Sequence, residues 1–185
     1  TPSAIEAERR YELIENMLRN LYSQPCHTAI EQTLIQLLGA TNAIVWLNNS
    51  MANILYSPSI SRTCKYQTAI VGLCFRTKKI ILSSNPSEHE SFNIAIDVED
   101  SSTIYIPLLH SNSESGDVFG VAQVFRSNDW LPFTDNDIIQ ANFFARKFSQ
   151  LSHLFTRSSQ DTTFNLNVIN AGEKHLVKRL IDLLT

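Results

Sequence analysis

The sequence predicts an α+β fold, with an antiparallel sheet and helices packed on one face of it. Three observations carry that prediction. Amphipathic helical stretches open the chain, and another long one follows the last strand-like run. Between them lie short apolar or alternating runs of strand length, separated by polar turns. The two longest of these, STIYIPLLHS (102–111) and DVFGVAQVFRS (117–127), are joined by the polar turn NSESG as a hairpin.

The opening stretch, AIEAERRYELIENMLRNLYSQP, places Ile14, Met17, Leu18 and Leu21 on one stripe at helical spacing, with charged residues around the rest. Pro25 separates it from HTAIEQTLIQLLGA, where Ile30, Thr33, Leu34, Leu37 and Leu38 repeat the stripe and Gly39 is placed to cap the helix. Strands follow at AIVWL (43–47), ANILYS (52–57) and RTCKYQ (62–67). AIVGLCFRT (69–77) is ambiguous by periodicity, and its length suits a short helix. KIILS (79–83) reads as a strand, and the acidic, Pro-containing 85–101 stretch as a long loop with a helical turn. Pro107 suggests an edge or bulge position in the first hairpin strand, and Gly120 and Ala122 in the second suggest close approach by a helix or ligand. In the last long helix (133–155), Thr134 and Asp137 approximate a capping box, and Phe144, Phe148, Leu151 and Phe155 form one stripe.

The predicted organisation is a connecting helix (1–24), one domain (25–155), a polar linker (156–170) and the start of a further helix (171–185). The chain therefore reads as a piece of a longer protein. With 43% hydrophobic and 18% charged residues, it can bury a core. The net charge of −3 and the lack of a long basic run argue against a nucleic-acid surface. No apolar run reaches the roughly 18–20 residues of a membrane span. Three cysteines do not make a disulfide framework, and an odd count fits a reducing compartment, most simply the cytoplasm. No two histidines stand at HxxxH, none pairs with a cysteine at zinc spacing, and no phosphate-loop or nucleophile-elbow motif occurs.

The second half carries a resemblance. An apolar strand ending in Ile-Pro-Leu, a polar turn, a Gly-Val strand, a variable loop, Phe-Thr-x-x-Asp and a long helix occur in that order from Ser101 to Ala145. This order resembles the end of a GAF domain, and VGLCFRTKKIILSSNP resembles the middle of one. GAF domains are small-molecule sensor modules of phosphodiesterases, cyclases, histidine kinases and phytochromes. The resemblance spans about residues 25–155. It implies a six-stranded antiparallel sheet with a ligand pocket on one face. On the other face it implies the first and last helices, often packed against the same helices of a second copy.

One enzyme group with this fold bears on CKYQTAIVGLC (64–74). The free methionine-(R)-sulfoxide reductases have two cysteines ten residues apart, as Cys64 and Cys74 are. Their chemistry also requires a third cysteine as nucleophile. It attacks the sulfoxide sulfur, and a neighbouring thiol then resolves the oxidised intermediate as a disulfide. Counting back from the Pro-Leu strand as in those enzymes lands on Ile96. Where they hold the substrate amino group with carboxylates, this chain has Thr103, Gln123 and Phe125. The resemblance thus implies a relative without the reaction. Cys64 and Cys74 read as small buried residues, and a regulatory disulfide stays open if their Cα atoms lie within about 7 Å.

Cyclic-nucleotide-binding GAF domains carry an Asn-Lys…Phe…Asp-Glu signature. Phe125-Arg126, Phe133 and Asp137-Ile138 stand at those places here. Two roles remain open for them: Arg126 with Asp137 as a salt bridge closing the pocket, or Phe133 as a staple and Asp137 as a cap. The candidate ligand lining is Tyr66, Val71, Gly72, Thr103, Tyr105, Gln123 and Phe125, with the 85–101 loop as lid. A cyclic nucleotide is one candidate ligand, and the sequence requires no cofactor. The expected function is a non-catalytic regulatory domain that binds a small ligand, dimerises through its terminal helices, or does both. The alternatives are a ligand-free dimerisation scaffold and, more remotely, a thiol reductase.

Overall fold

A computed structural model describes residues 3–110 and 116–155. The predicted linker at 156–170 and helix at 171–185 lie outside the described residues, as does most of the NSESG turn. Helix α1 (Ala4–Asn20) starts at Ser3, whose Oγ accepts from the Glu6 N–H at 3.3 Å, and buries Ile14, Met17 and Leu18. Helix α2 (Cys26–Leu38) follows Pro25 and ends at Gly39, whose φ of 55° gives the expected left-handed cap.

The strands are β1 (Asn42–Asn49), β2 (Ile54–Ser57), β3 (Arg62–Lys65), β4 (Ile81–Ser83), β5 (Ser101–Leu109) and β6 (Val118–Ser127). They form one sheet in the order β3-β2-β1-β6-β5-β4, with every neighbouring pair antiparallel. Helix α3 (Ala69–Thr77) connects β3 to β4, and the 85–101 segment contains a single 3-10 turn at Pro86–Glu88. Pro107 lies in β5 beyond the end of β4, which stops opposite Tyr105, so its missing N–H deprives no described partner strand. Pro58 follows β2 where the ladder to β1 would continue. There the Val45 N–H is taken instead by the Glu31 carboxylate at 2.9 Å.

Because side chains alternate along a strand, each strand divides between two cores. Ala43, Val45 and Leu47 of β1, Ile104, Ile106 and Leu108 of β5, and Ala122 and Val124 of β6 join α1, α2 and α4 in the larger core. Ile44, Trp46, Tyr105 and Val121 turn to the opposite face and meet Ile70, Val71 and Cys74 of α3. A bulge at Leu108/Leu109 leaves Phe119 as an extra residue opposite no partner, and Phe119 joins the helical-side core. Of the two residues suggested for close approach, Ala122 faces the helices, but at Gly120 it is β1 that comes close: a Cβ there would clash with the Trp46 carbonyl oxygen.

Helix α4 (Asp135–Leu151) begins with the capping box read from the sequence. The Asp137 carboxylate accepts from the Thr134 N–H at 2.8 Å. Its Phe144, Phe148 and Leu151 are buried, and Phe155 after it completes the aromatic stripe. Among the described residues no helix is long and apolar enough to cross a membrane.

Candidate functional site

The face of the sheet that meets α3 holds the predicted lining residues. Thr103 and Tyr105 of β5 and Gln123 of β6 share the inward parity of Trp46, and all three are fully buried. Phe125 continues that row at the rim and Val71 is fully buried on α3. Tyr66 stands at the β3–α3 turn, where its ring stacks on Phe75 at 4.3 Å and its hydroxyl donates to Asn48. Gly72 faces the backbone of that turn. A Cβ there would meet the Tyr66 carbonyl oxygen at 2.7 Å, so this glycine lets α3 pack on the turn rather than opening space for a ligand.

These side chains close on one another through a buried polar network. The Trp46 indole N–H donates to Gln123 Oε1 at 2.9 Å, and Gln123 Nε2 donates to the Ile96 carbonyl at 3.3 Å. The Tyr105 hydroxyl donates to Asp97 Oδ1 at 3.1 Å. Asp97 Oδ2 accepts from the Ile70 N–H at 3.1 Å, at the start of α3, and from the Asn93 N–H at 2.9 Å. Thr103 is satisfied within its own strand, its hydroxyl 2.9 Å from that of Ser101. The loop expected as a lid thus contributes Phe92, Ile96 and Asp97 to the site itself. Trp46 and Asp97 are missing from the sequence-based lining. For Trp46 the signal was present, since it shares parity with Ile44 in β1.

The electrostatics follow from burial. Burial pushes the Asp97 carboxyl above its ordinary range, opposed by the hydrogen bonds from Ile70, Asn93, Tyr105 and Val71. Burial also pushes the Tyr105 phenol upward, and the adjacent Asp97 charge adds to it. At neutral pH the site therefore holds a neutral phenol donating to a buried carboxyl group that faces a helix amino terminus.

All three cysteines are free and buried. Cys64 and Cys74 lie in the α3-side core, where burial raises both thiols. Ile96, at the place counted for a nucleophile, packs against this same cluster. Cys26 belongs to the helical-side core, across the sheet, where burial pushes its thiol up to about 12. A thiol held neutral and shielded from solvent is a poor nucleophile. Among the described residues no group of three or more His, Cys, Asp or Glu side chains is placed to hold a metal ion.

Arg126 and Asp137 do pair, at 3.4 Å, but not over the α3 face. Arg126 has the parity of Ala122 and Val124, which sends it to the helical side. There its guanidinium donates to the Leu38 and Gly39 carbonyls at the end of α2 and to the Leu131 carbonyl, and lies 4.3 Å over the Phe133 ring. The expected pocket-closing bridge is corrected to a clamp joining α2, the 128–133 loop and α4.

Comparison of the sequence with protein-family models and with curated proteins finds no match. Comparison with solved structures does. The GAF domain of the Acinetobacter phosphoenolpyruvate-protein phosphotransferase is similar at a TM-score of 0.60 and 13% identity, covering 78% of this chain and 94% of that one. The corresponding GAF domain from Coxiella burnetii gives 0.61 and 13%, covering 80% and 95%. The free methionine-R-sulfoxide reductase from Neisseria meningitidis gives 0.57 and 13%, covering 81% and 91%. Likeness at such low identity speaks for architecture. In overall structure, over most of its length, the chain has the GAF-domain fold.

Proposed function

We propose that this chain is a non-catalytic regulatory module of a larger protein, one whose α3 face is filled by its own side chains. The carrying observation is the buried network from Trp46 through Gln123 to Ile96, beside that from Tyr105 through Asp97 to Ile70. The polar groups of Trp46, Thr103, Tyr105, Gln123 and Asp97 on this face each have a partner within the chain, while the buried Ser57 hydroxyl, with the parity of Leu55 in β2, has none. The absence of a third thiol beside Cys64 and Cys74, with Cys26 across the sheet, speaks against sulfoxide reduction. Three free thiols fit a reducing compartment such as the cytoplasm.

In this reading the module works through its helical layer. Helices α1 and α4 are linked by long side chains: Arg10 to Gln140 at 2.7 Å, Gln140 to Glu6 at 3.1 Å and an edge contact of Tyr11 with Phe143. Pairing of two copies through these helices is supported by exposed Ile5, Tyr11 and Ile139 on the same two elements. Titration calorimetry with cyclic AMP and cyclic GMP, together with sedimentation at increasing protein concentration, tests the proposal. No heat of binding with a concentration-dependent dimer is expected. Saturable nucleotide binding by the native chain would instead favour a ligand sensor, for which Thr103, Tyr105 and Gln123 supply convergent polar groups.

A further inference from the structure

The segment 92–97 is fixed to the sheet at several separated points. Ala95 offers its carbonyl to Arg62 of β3 at 2.9 Å, Ile96 its carbonyl to Gln123 of β6, and Asp97 its carboxylate to Tyr105 of β5 and to the start of α3. Two side chains of the segment, Phe92 and Ile96, pack on the α3-side core. Ile94 between them is 69% exposed and Ala95 is exposed too, so the segment is held at its two ends and not buried whole.

Two residues with left-handed backbone flank the system, Ala69 at the start of α3 and Asp100 after the segment. Ala69, which precedes the Ile70 N–H that Asp97 accepts from, has φ of 65°. Asp100, where the segment enters β5, has φ of 49°. Side chains beyond glycine adopt this region at an energetic cost, and such residues persist where the surroundings over-determine them. At Ala69 the surroundings include the bond of Asp97 to the next N–H, that of Ile70, whereas the Asp100 carbonyl is held by the Asn128 N–H at 3.1 Å. Release of that one carboxylate would free the amino terminus of α3 with its strained Ala69, and the Tyr105 hydroxyl, together.

We propose that residues 92–97 form an intramolecular latch. Asp97 serves as a built-in carboxyl ligand for the start of α3, its oxygens accepting from the Ile70 N–H and the Tyr105 hydroxyl, and the domain has a closed state and an open state in which the segment and α3 loosen as one unit. Closure is cooperative because the Asp97 carboxylate bridges three elements that otherwise touch only through apolar contacts. The latch goes beyond the regulatory role proposed above. Its test needs no nucleotide and no second copy, so it stands or falls separately from that role.

Amide hydrogen exchange on the full chain tests it, comparing the native protein with Asp97→Ala. The expected result is exchange at Ile70 and Val71 faster by tenfold or more, together with the amides of residues 92–97, while β1 and β6 amides keep their protection. Added formate, a small carboxylate, should restore protection at Ile70 in Asp97→Ala and leave the native chain unchanged. Unaltered exchange at Ile70, or an equal rise throughout the sheet, would overturn the latch. If Asp97→Ala does not fold, Arg62→Ala releases only the outer end of the segment. Faster exchange at Ile96 and Asp97 should then be accompanied by faster exchange at Ile70. Loosening of 92–97 with Ile70 unaffected would show that the two are not coupled and would sink the proposal.

Discussion

One sheet in this molecule serves two unlike cores. On the helical side, the strands meet α1, α2 and α4 through aliphatic and aromatic groups, with Phe119, Phe148 and Phe155 in mutual ring contact. On the α3 side the same strands bury Thr103, Tyr105 and Gln123 with no exposed surface at all. The first core is held by area and shape, which tolerate volume-conserving exchange. The second is held partner by partner, because each buried polar atom is costly when left alone. The difference separates a layer built for stability from a face whose specific arrangement is maintained at the expense of simpler packing.

The largest expected effect lies in the apolar core. Phe148→Ala removes a fully buried ring and should destabilise the fold by about 3–5 kcal/mol in a denaturant titration. A loss below about 1 kcal/mol would mean that the helical layer collapses into the gap. On the polar side, Gln123→Leu keeps most of the volume but strands the Trp46 N–H and the Ile96 carbonyl. The expected loss is about 1–3 kcal/mol, and a neutral result would show that the two faces are alike after all. A smaller effect of opposite sign is expected from Ala69→Gly. Relief of the left-handed conformation should stabilise by up to about 1 kcal/mol, read as a raised melting temperature.

Proton linkage should sharpen the contrast most finely, because the two faces respond to acid with opposite sign. Burial lowers the pKa of His27 on α2, whose Nδ1 has no hydrogen-bond partner. Its contribution is complete above the unfolded value of about 6.5 and is lost as pH falls through that value toward the folded one. Asp97 has a raised pKa, so the folded state holds its proton more tightly than the unfolded state. Its contribution grows as pH falls through the folded value toward the ordinary carboxylate range. His27→Gln should flatten the stability profile just below neutrality, and Asp97→Asn should flatten it only at lower pH. Identical profiles for the native chain and His27→Gln between neutrality and mild acid would remove the helical half of this account.

The sequence made the fold legible through period. Stripes at helical spacing fell on α1, α2 and α4, and the alternation in 102–127 placed Thr103, Tyr105 and Gln123 on one face correctly, because a strand's register leaves each side chain only two directions. The same rule would have corrected Arg126. It lies an even number of residues from Ala122 and Val124 and so belongs with them, while analogy to a nucleotide-binding signature drew it to the wrong side. Asp97 was the true gap. It sits among Glu99 and Asp100 in an acidic loop, where nothing periodic marks which carboxylate turns inward. Only the position of α3 across from the loop decides that, and this is a tertiary fact. The bulge that moves Phe119 to the helical side was signalled only by Pro107 nearby.

The indole of Trp46 is fully buried and bonded to Gln123, whereas Trp130 in the 128–133 loop is 53% exposed. The protein therefore carries two lamps of different colour, one in a fixed, water-free setting and one open to solvent. Trp46 should emit at the blue edge of the fluorescence spectrum and resist collisional quenching by iodide, while Trp130 should emit toward the red and be quenched readily. A disturbance of the α3 face would then alter the blue component alone, and one at the Arg126 clamp the red. The molecule reports, without any added label, which of its two sides has moved.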